Sequence, residues 1–177
     1  MNPVRLVVDR LFVSLVRALA PKTVVEGMPV YAVASKGERD VAFRDVTAAI
    51  SLIAEHDRAR WVRVLGDVPG VIVWPLTRST GGALNRTTRY CLLNLRSVLA
   101  DRAGLATAVV LAHEGMHARL LRCGVRHTQR ALPRIERACR RAEFHLLTRL
   151  PEFTNKASVL HDIQRAMDAG RPSRPSV

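Results

Sequence analysis

Two histidines and a glutamate lie in the middle of an otherwise apolar helical segment, and this restricts the folds open to the chain. The helical pattern runs from Gly104 to Gly124, and His113, Glu114 and His117 lie near its centre. The neighbouring residues are mostly small or apolar, as expected for a helix that packs against a sheet. Buried imidazole and carboxylate groups are costly unless they are paired or bound to a metal. The helix therefore needs polar partners inside the protein.

The spacing of these three residues, His-Glu-x-x-His, predicts a metal site. Four residues advance a helix by about 400°, so His113 and His117 lie about 40° apart on one face and can bind one ion. Glu114 is offset by about 100°, where it can take a proton from a water at the ion and return it to a leaving amine. We therefore expect Glu114 to be a general base. The alternative is a solvated helix face on which two histidines happen to lie four residues apart.

A third ligand is needed, because a catalytic zinc takes three protein ligands and leaves a fourth position open. Glu136 and Glu143 both lie on the helix predicted from Pro133 to Leu150. They are about 20° apart around that helix but roughly 10 Å apart along it, so both cannot bind one ion. We favour Glu136 as the ligand and Glu143 as an acceptor that orients an imidazole, with Glu143 kept as the alternative ligand. Either could instead be a solvated glutamate paired with a neighbouring arginine.

The segment from His113 to Leu120, followed by 133–139 and Glu143, resembles the gluzincin metallopeptidases, in which a glutamate on the following helix completes the zinc site. More closely, it resembles a family of small, poorly characterised bacterial proteins classed as candidate zinc peptidases. The resemblance covers Leu105 to Pro151. It implies a zinc ion held by His113, His117 and Glu136, a catalytic Glu114, and a peptide or protein substrate.

The sequence also bears on the class of the site and on which residues could stabilise an oxyanion. The metzincin class would need a glycine in place of Leu120 and a histidine in place of Cys123, and is disfavoured. His127, His145 and Tyr90 are candidates for stabilising an oxyanion, although a surface or packing role is the ordinary expectation for each.

The chain is strongly basic, with 28 Lys and Arg against 15 Asp and Glu and a formal net charge of +13. Nine arginines fall between Arg119 and Arg149 and could surround a cleft that takes anionic substrates, but a solvated charged face is the favoured interpretation. No specific nucleic-acid partner is expected, because no helix-turn-helix, zinc finger or aromatic RNA platform is recognisable. The alternative function is a non-catalytic zinc-containing or basic module that binds nucleic acid or an acidic partner. The oligomeric state stays open.

Three cysteines without a C-x-x-C spacing favour a reducing compartment, and we expect a cytoplasmic protein. No apolar stretch approaches the roughly 20 residues of a membrane-spanning helix, so no transmembrane segment is expected. Residues 4–20 carry an apolar stripe at helical spacing, which predicts a helix packed on the core. The alternative is a membrane-surface helix. The stripe consists of Val4, Val8, Leu11, Leu15 and Leu19.

These patterns predict an α+β fold. The resemblance implies a small zincin-like domain, in which a short sheet packs against the His-Glu-x-x-His helix and the glutamate-bearing helix that follows. Residues 1–169 form this single domain and 170–177 form a flexible tail. A second helix is expected over Asp45–Glu55, capped by Asp40 or Asp45. Strands are expected at Val30–Ala34, at Trp61–Val64 paired as a hairpin with Val71–Trp74, and at Tyr90–Leu93.

Overall fold

The computed structural model describes residues 3–76, 81–101, 103–153 and 156–169. The tail predicted over 170–177 lies outside these residues. Within them the helices and strands follow one another in the order α1 Pro3–Leu19, β1 Lys22–Val25, β2 Met28–Ala32, α2 Lys36–His56, α3 Arg58–Asp67, β3 Val71–Trp74, β4 Gly82–Leu84, β5 Cys91–Asn94, α4 Leu95–Ala100, α5 Leu105–Arg122, α6 Leu132–Leu147 and α7 Lys156–Ala169.

The five strands form one mixed sheet in the order β1-β2-β3-β5-β4. The central strands β2, β3 and β5 are parallel, whereas β1 and β4 pair antiparallel with their neighbours. β3 is apolar along its length because it is buried between helices on both faces of the sheet. The predicted α+β class is confirmed. β4 lies at the edge of the sheet next to β5.

The core lies on both faces of this sheet. On one face, α2 contributes Val46, Ile50 and Ile53, which belong to the same buried cluster as residues of β3 and α5. On the other face, α1 contributes Val13 and Val16, which pack against tyrosines and an isoleucine of the strands. One side of the sheet thus carries α5, and the other carries α1.

The prediction that the α1 stripe packs on the core is wrong. All five stripe residues are exposed, from Val8 at 57% to Leu19 at 74%. The other side of α1 packs against the sheet instead. On that side Val13 and Val16 are buried and Phe12 is partly buried. Helical spacing identified an apolar face correctly but could not decide between two such faces.

The predicted hairpin is also wrong in its first strand. Residues 61–64 belong to α3, because Trp61 and Val64 are buried three residues apart, as on one face of a helix. Asp57 caps that helix by accepting from the Arg60 N–H. The predicted strand over Val71–Trp74 is confirmed, but it pairs in parallel with β2 and β5.

The second predicted helix is longer than expected. α2 begins at Lys36 rather than near Asp45, and its N-cap is Ser35, which forms a capping box with Glu38. Asp45 is instead buried in mid-helix beside Arg44. The wrong cap followed from the polar residues 36–40, which concealed the first turns of the helix.

Two glycines bound α5 as predicted. Gly104 precedes it with a φ of +71°, and Gly124 follows it with a φ of +80°. A Cβ at Gly104 would lie 2.6 Å from the backbone nitrogen of Ala49, so this glycine also lets α5 start against α2.

Among the described residues, no helix is long and apolar enough to cross a membrane. The three cysteines form no disulfide.

Candidate metal centre

α5 carries the two histidines and the glutamate into the interior. Its apolar side, including Leu111, Ala112 and Ala118, is fully or almost fully buried. Gly115 lies against α3, where a Cβ would come within 2.9 Å of Val64 Cγ2, so this glycine allows close packing. Glu114 and His117 are buried and His113 is partly buried. The helix is therefore held firmly while its polar residues face a common space.

Ligand atoms of three residues converge in that space. His113 Nε2 and His117 Nε2 are 3.1 Å apart. Glu136, from α6, places Oε2 3.4 Å from His113 Nε2 and Oε1 3.4 Å from His117 Nε2. The structure thus brings together the three residues that the sequence singled out as ligands.

These spacings fit a zinc ion. With Zn–N and Zn–O bonds of about 2.0–2.1 Å, two ligand atoms of a tetrahedral site lie about 3.3–3.4 Å apart. The three observed separations, of 3.1, 3.4 and 3.4 Å, are close to that value. Two imidazoles and one carboxylate are also the donor set of many catalytic zinc sites. The residues present therefore suit zinc in both number and chemistry.

The remaining nitrogen of His113 is held by the second glutamate of α6. Glu143, which is buried, accepts a hydrogen bond from His113 Nδ1. With its proton on Nδ1, the ring leaves the Nε2 lone pair for a metal. Glu143 therefore lies where an orienting acceptor is needed, on the other side of the ring from Glu136.

His117 is oriented by a second hydrogen-bonded chain. His117 Nδ1 lies 3.1 Å from His127 Nε2, and His127 Nδ1 lies 3.3 Å from the Val125 carbonyl oxygen. A carbonyl only accepts, so a neutral His127 donates from Nδ1 and accepts from His117 at Nε2. This fixes the proton of His117 on Nδ1 and leaves its Nε2 lone pair free. His127 is thus placed to position a ligand rather than to stabilise an oxyanion.

The pKa values of the two α5 histidines differ because their neighbours differ. Burial, His113, His127 and Arg86 together lower the pKa of His117 to about 3, so His117 is neutral at physiological pH. Burial would also lower the pKa of His113, but the hydrogen bond that the ring donates to Glu143 and the nearby carboxylates outweigh burial and raise that pKa. A neutral imidazole is the form that binds metal, and the carboxylates that raise the His113 pKa also attract a cation.

Glu114 is buried beside the convergent atoms. Burial raises its pKa to about 7, and the nearby Glu136 adds to this, while His113 and a backbone hydrogen bond from Leu84 partly oppose it. A carboxyl with a pKa near neutrality can both accept and release a proton under physiological conditions. Its environment therefore suits the proton-transfer role that the sequence predicts.

Cys139 was not expected at this site. It lies one turn beyond Glu136 on α6, is fully buried, and has its sulfur within 4.8 Å of a ligand atom of each α5 histidine. Burial and three nearby carboxylates raise the pKa of its thiol. Zinc binds the thiolate, so a thiol held neutral is a poorer ligand than the Glu136 carboxylate. In the sequence, Cys139 resembled an ordinary apolar position of α6.

A cleft of about 840 Å³ opens over these residues. Its walls include β4, the turn that follows β4, His127 and Asp9 of α1. Arg86, an exposed residue of that turn, also lines the cleft, and no carboxylate of the described residues lies within ion-pair distance of it. No motif pointed to Arg86, because its place depends on how the β4–β5 turn folds over α5.

Two other candidates lie elsewhere. Tyr90 is buried with Tyr31 and Ile72 on the face of the sheet that α1 covers. His145 is exposed on α6 and does not line the cleft. Neither supplies an oxyanion donor here.

The nine arginines between Arg119 and Arg149 do not surround the cleft either, since none of them lines it. Arg119 and Arg122 instead pair with the buried Asp67, and Arg149 pairs with Asp57. These arginines tie α5 and the end of α6 to α3. The positive charge in the cleft comes from Arg86.

Comparison of the chain with protein-family models, with curated proteins and with solved structures gave no match. What the site can do therefore has to follow from its own side chains: two oriented imidazoles, a carboxylate facing both of them, and a buried glutamate with a pKa near 7.

Proposed function

We propose that this protein is a zinc-dependent peptidase of zincin-like architecture. The observation that carries the proposal is the convergence of His113 Nε2, His117 Nε2 and the Glu136 carboxylate within 3.4 Å of one another. The edge strand β4, the mixed sheet beside α5, and a ligand on the next helix support the architecture. The same residues carry the resemblance to gluzincins.

His113, His117 and Glu136 would hold the zinc ion. When bound, zinc supplies Lewis acidity, which polarises a carbonyl and makes water a stronger nucleophile near neutral pH. Glu143 and His127 keep the two imidazoles turned with Nε2 toward the ion. Because both orienting acceptors are already bonded in the folded protein, the ligands do not have to be reorganised on binding.

Glu114 moves the proton. Its carboxylate oxygen takes a proton from the attacking water and then delivers that proton to the nitrogen of the leaving amine. In the metal-free protein the pKa of Glu114 is about 7. A pKa near neutrality suits both transfers, since the same group must be a base in the first step and an acid in the second. Burial supplies this pKa, so the position of Glu114 on the inner side of α5 is part of its chemistry.

β4 offers a place for an extended substrate. Within the described part of the chain it pairs with β5 alone, and its residues line the cleft. A peptide can add to such an edge through backbone hydrogen bonds. Gly82 brings the strand onto α5, because a Cβ there would lie 2.6 Å from Val110 Cγ1. The substrate backbone would therefore run beside the metal ligands.

Arg86 favours a substrate with a negative group. Its guanidinium is exposed in the cleft, and its charge acts on His117 and His127. A guanidinium can bind a carboxylate through two parallel hydrogen bonds. We expect acidic side chains or a terminal carboxylate of the substrate to lie near this turn.

The test is hydrolysis of fluorescence-quenched peptides, both acidic and neutral, by the zinc-loaded protein. Glu114→Gln should lower the rate by at least about 100-fold while the protein keeps its zinc. Glu55→Gln, a matched change at an exposed position on α2, should leave the rate unchanged. Hydrolysis that survives Glu114→Gln would remove this residue from the mechanism. Zinc binding without hydrolysis of any peptide would favour the alternative of a non-catalytic zinc module.

A further inference from the structure

Helix α1 has two apolar faces, and the protein uses only one of them. Val13 and Val16 are buried against the sheet, with Phe12 packed beside them. On the side turned away from the sheet, six valines and leucines are between 53% and 74% exposed. They are Val4, Val7, Val8, Leu11, Leu15 and Leu19, and we call them the outer stripe.

The outer stripe is continuous. At 100° per residue its six side chains fall within an arc of about 120°, and the 17 residues of α1 span about 25 Å. Val24 of β1, which is 57% exposed, lies on the same face of the sheet as α1, because its partner Pro29 is two residues from Tyr31. Contiguous apolar surface of this kind marks a contact with another molecule or a membrane.

Basic residues lie on one flank of α1, about 60–80° around the helix from the edge of the stripe. Arg10 and Arg17 are exposed along one side of α1, and Lys22 lies beside Arg17 in a shallow groove that also includes Ser14. The acidic residue of α1, Asp9, is turned toward the β4–β5 turn, where its Oδ2 accepts from Thr87 Oγ1 at 3.1 Å. An apolar face flanked by exposed cations is the pattern of helices that lie at an anionic membrane surface.

We propose that α1 docks this protein onto an anionic lipid bilayer, with the outer stripe in the boundary between headgroups and acyl chains. Arg10, Arg17 and Lys22 then lie at the level of the lipid phosphates. A second copy of the chain is the less favoured occupant, because each copy carries a net charge of +13 and pairing through α1 would bring like charges together. The helix lies along the surface and does not span it.

This inference does not depend on the metal centre, because no residue of the outer stripe is a proposed ligand. The two sites nevertheless share α1, since Asp9 lines the cleft.

The experiment is co-sedimentation of the full chain with vesicles at physiological salt. One set of vesicles is phosphatidylcholine alone, and the other contains a quarter phosphatidylglycerol. Binding to the anionic set is expected. The double variant Leu11→Gln/Leu15→Gln should lower the partition coefficient by at least about tenfold for each leucine, because each loses the free energy of apolar burial. Val62→Gln on α3, where the valine is 56% exposed, is the matched control and should bind like the wild type.

The charge contribution is tested separately. Arg17→Ala should weaken binding to the anionic vesicles about fivefold. Arg63→Ala, an exposed arginine of α3, should have little effect. The proposal is overturned if the wild type does not sediment with anionic vesicles, or if the Leu11/Leu15 variant sediments equally well. A wild-type dimer in light scattering that this double variant converts to monomers would also overturn it, in favour of a second copy.

Discussion

Glu136 and Glu143 contact opposite nitrogens of the same imidazole ring. Glu136 Oε2 lies 3.4 Å from His113 Nε2, whereas Glu143 accepts from His113 Nδ1. The two glutamates are seven residues apart on α6, so they lie on nearly the same side of that helix but about two turns apart. The ring of His113 lies between them. Two similar residues on one helix thus contact different nitrogens of one ring, and in the proposed zinc site Glu136 would be the ligand and Glu143 would orient His113.

The first prediction concerns zinc content. Wild type purified without added metal should hold close to one zinc per chain, and Glu136→Ala should lose it because one of three ligands is gone. Glu143→Ala should still bind zinc, but about 10- to 100-fold more weakly, since only the orientation of His113 is lost. Elemental mass spectrometry and competition with a chelating dye measure the two quantities.

Cys139→Ala is the discriminating control for that experiment. It removes the third member of the possible His-His-Cys set but leaves Glu136 in place. If the ligand is Glu136, this variant keeps its zinc. Loss of zinc in Cys139→Ala, with retention in Glu136→Ala, would show that the sulfur is the ligand instead.

His127 should affect zinc affinity through His117. His127→Ala removes the acceptor for His117 Nδ1 and should weaken zinc binding about 10- to 100-fold. His127→Gln offers a side-chain oxygen in place of the ring nitrogen and should restore part of the affinity. The affinities are compared by competition titration. Equal affinity in the wild type and the alanine variant would mean that His127 does not position His117.

Glu114 should make the metal-free protein less stable as the pH rises. Its pKa is about 7 in the folded protein and near 4.5 when unfolded. Between these values the folded state holds a proton that the unfolded state has released, so the free energy of unfolding falls with increasing pH. In the presence of a chelator, Glu114→Gln should be more stable than wild type by roughly 3 kcal/mol above neutrality and no more stable below about pH 4. Urea unfolding at several pH values tests this, and a constant difference across the range would contradict it.

Asp57 should stabilise the protein with the opposite pH dependence. Burial would raise its pKa, but hydrogen bonds from Arg60 and Arg149 outweigh burial and lower it below 3.8. A lowered carboxyl pKa contributes stability above the unfolded value and loses it as the pH falls through the folded value. Asp57→Ala should cost about 3 kcal/mol at neutral pH, because it removes both the cap of α3 and a buried ion-pair partner. Arg149→Ala, at an exposed arginine, should cost less than about 1 kcal/mol in the same urea titration.

Gly104 should be the more sensitive of two compared glycines. It has a φ of +71°, and an added Cβ would lie 2.6 Å from the Ala49 nitrogen, which cannot move away as a side chain would. Gly104→Ala should therefore destabilise the protein by at least about 2 kcal/mol. Gly66→Ala, within α3 and with nothing near the new Cβ, should stabilise it by up to about 1 kcal/mol. Thermal unfolding followed by circular dichroism compares them, and equal effects would contradict this account.

In α1 and α3 the sequence patterns did not determine which residues are buried or which secondary structure forms. The outer stripe of α1 has the spacing of a core-facing helix, yet the sheet packs against Val13 and Val16. The run from Trp61 to Val64 fits a strand or a helix equally well, and it is helical because Trp61 and Val64 enter the core together. Periodicity identifies faces, whereas burial depends on which face the rest of the chain covers.

The sequence by itself determined the local geometry of the site. Helical spacing places His113 and His117 on one face with Glu114 beside them, since residues so close along one helix are related by the backbone alone. Only the tertiary structure decided the rest: that Glu136 faces both Nε2 atoms, that Glu143 and His127 hold the rings, and that Cys139 and Arg86 lie nearby. These relationships join separate elements, so they depend on how α6, the 125–127 segment and the β4–β5 turn pack against α5. That packing minimises the free energy of the whole chain, and no local pattern encodes it.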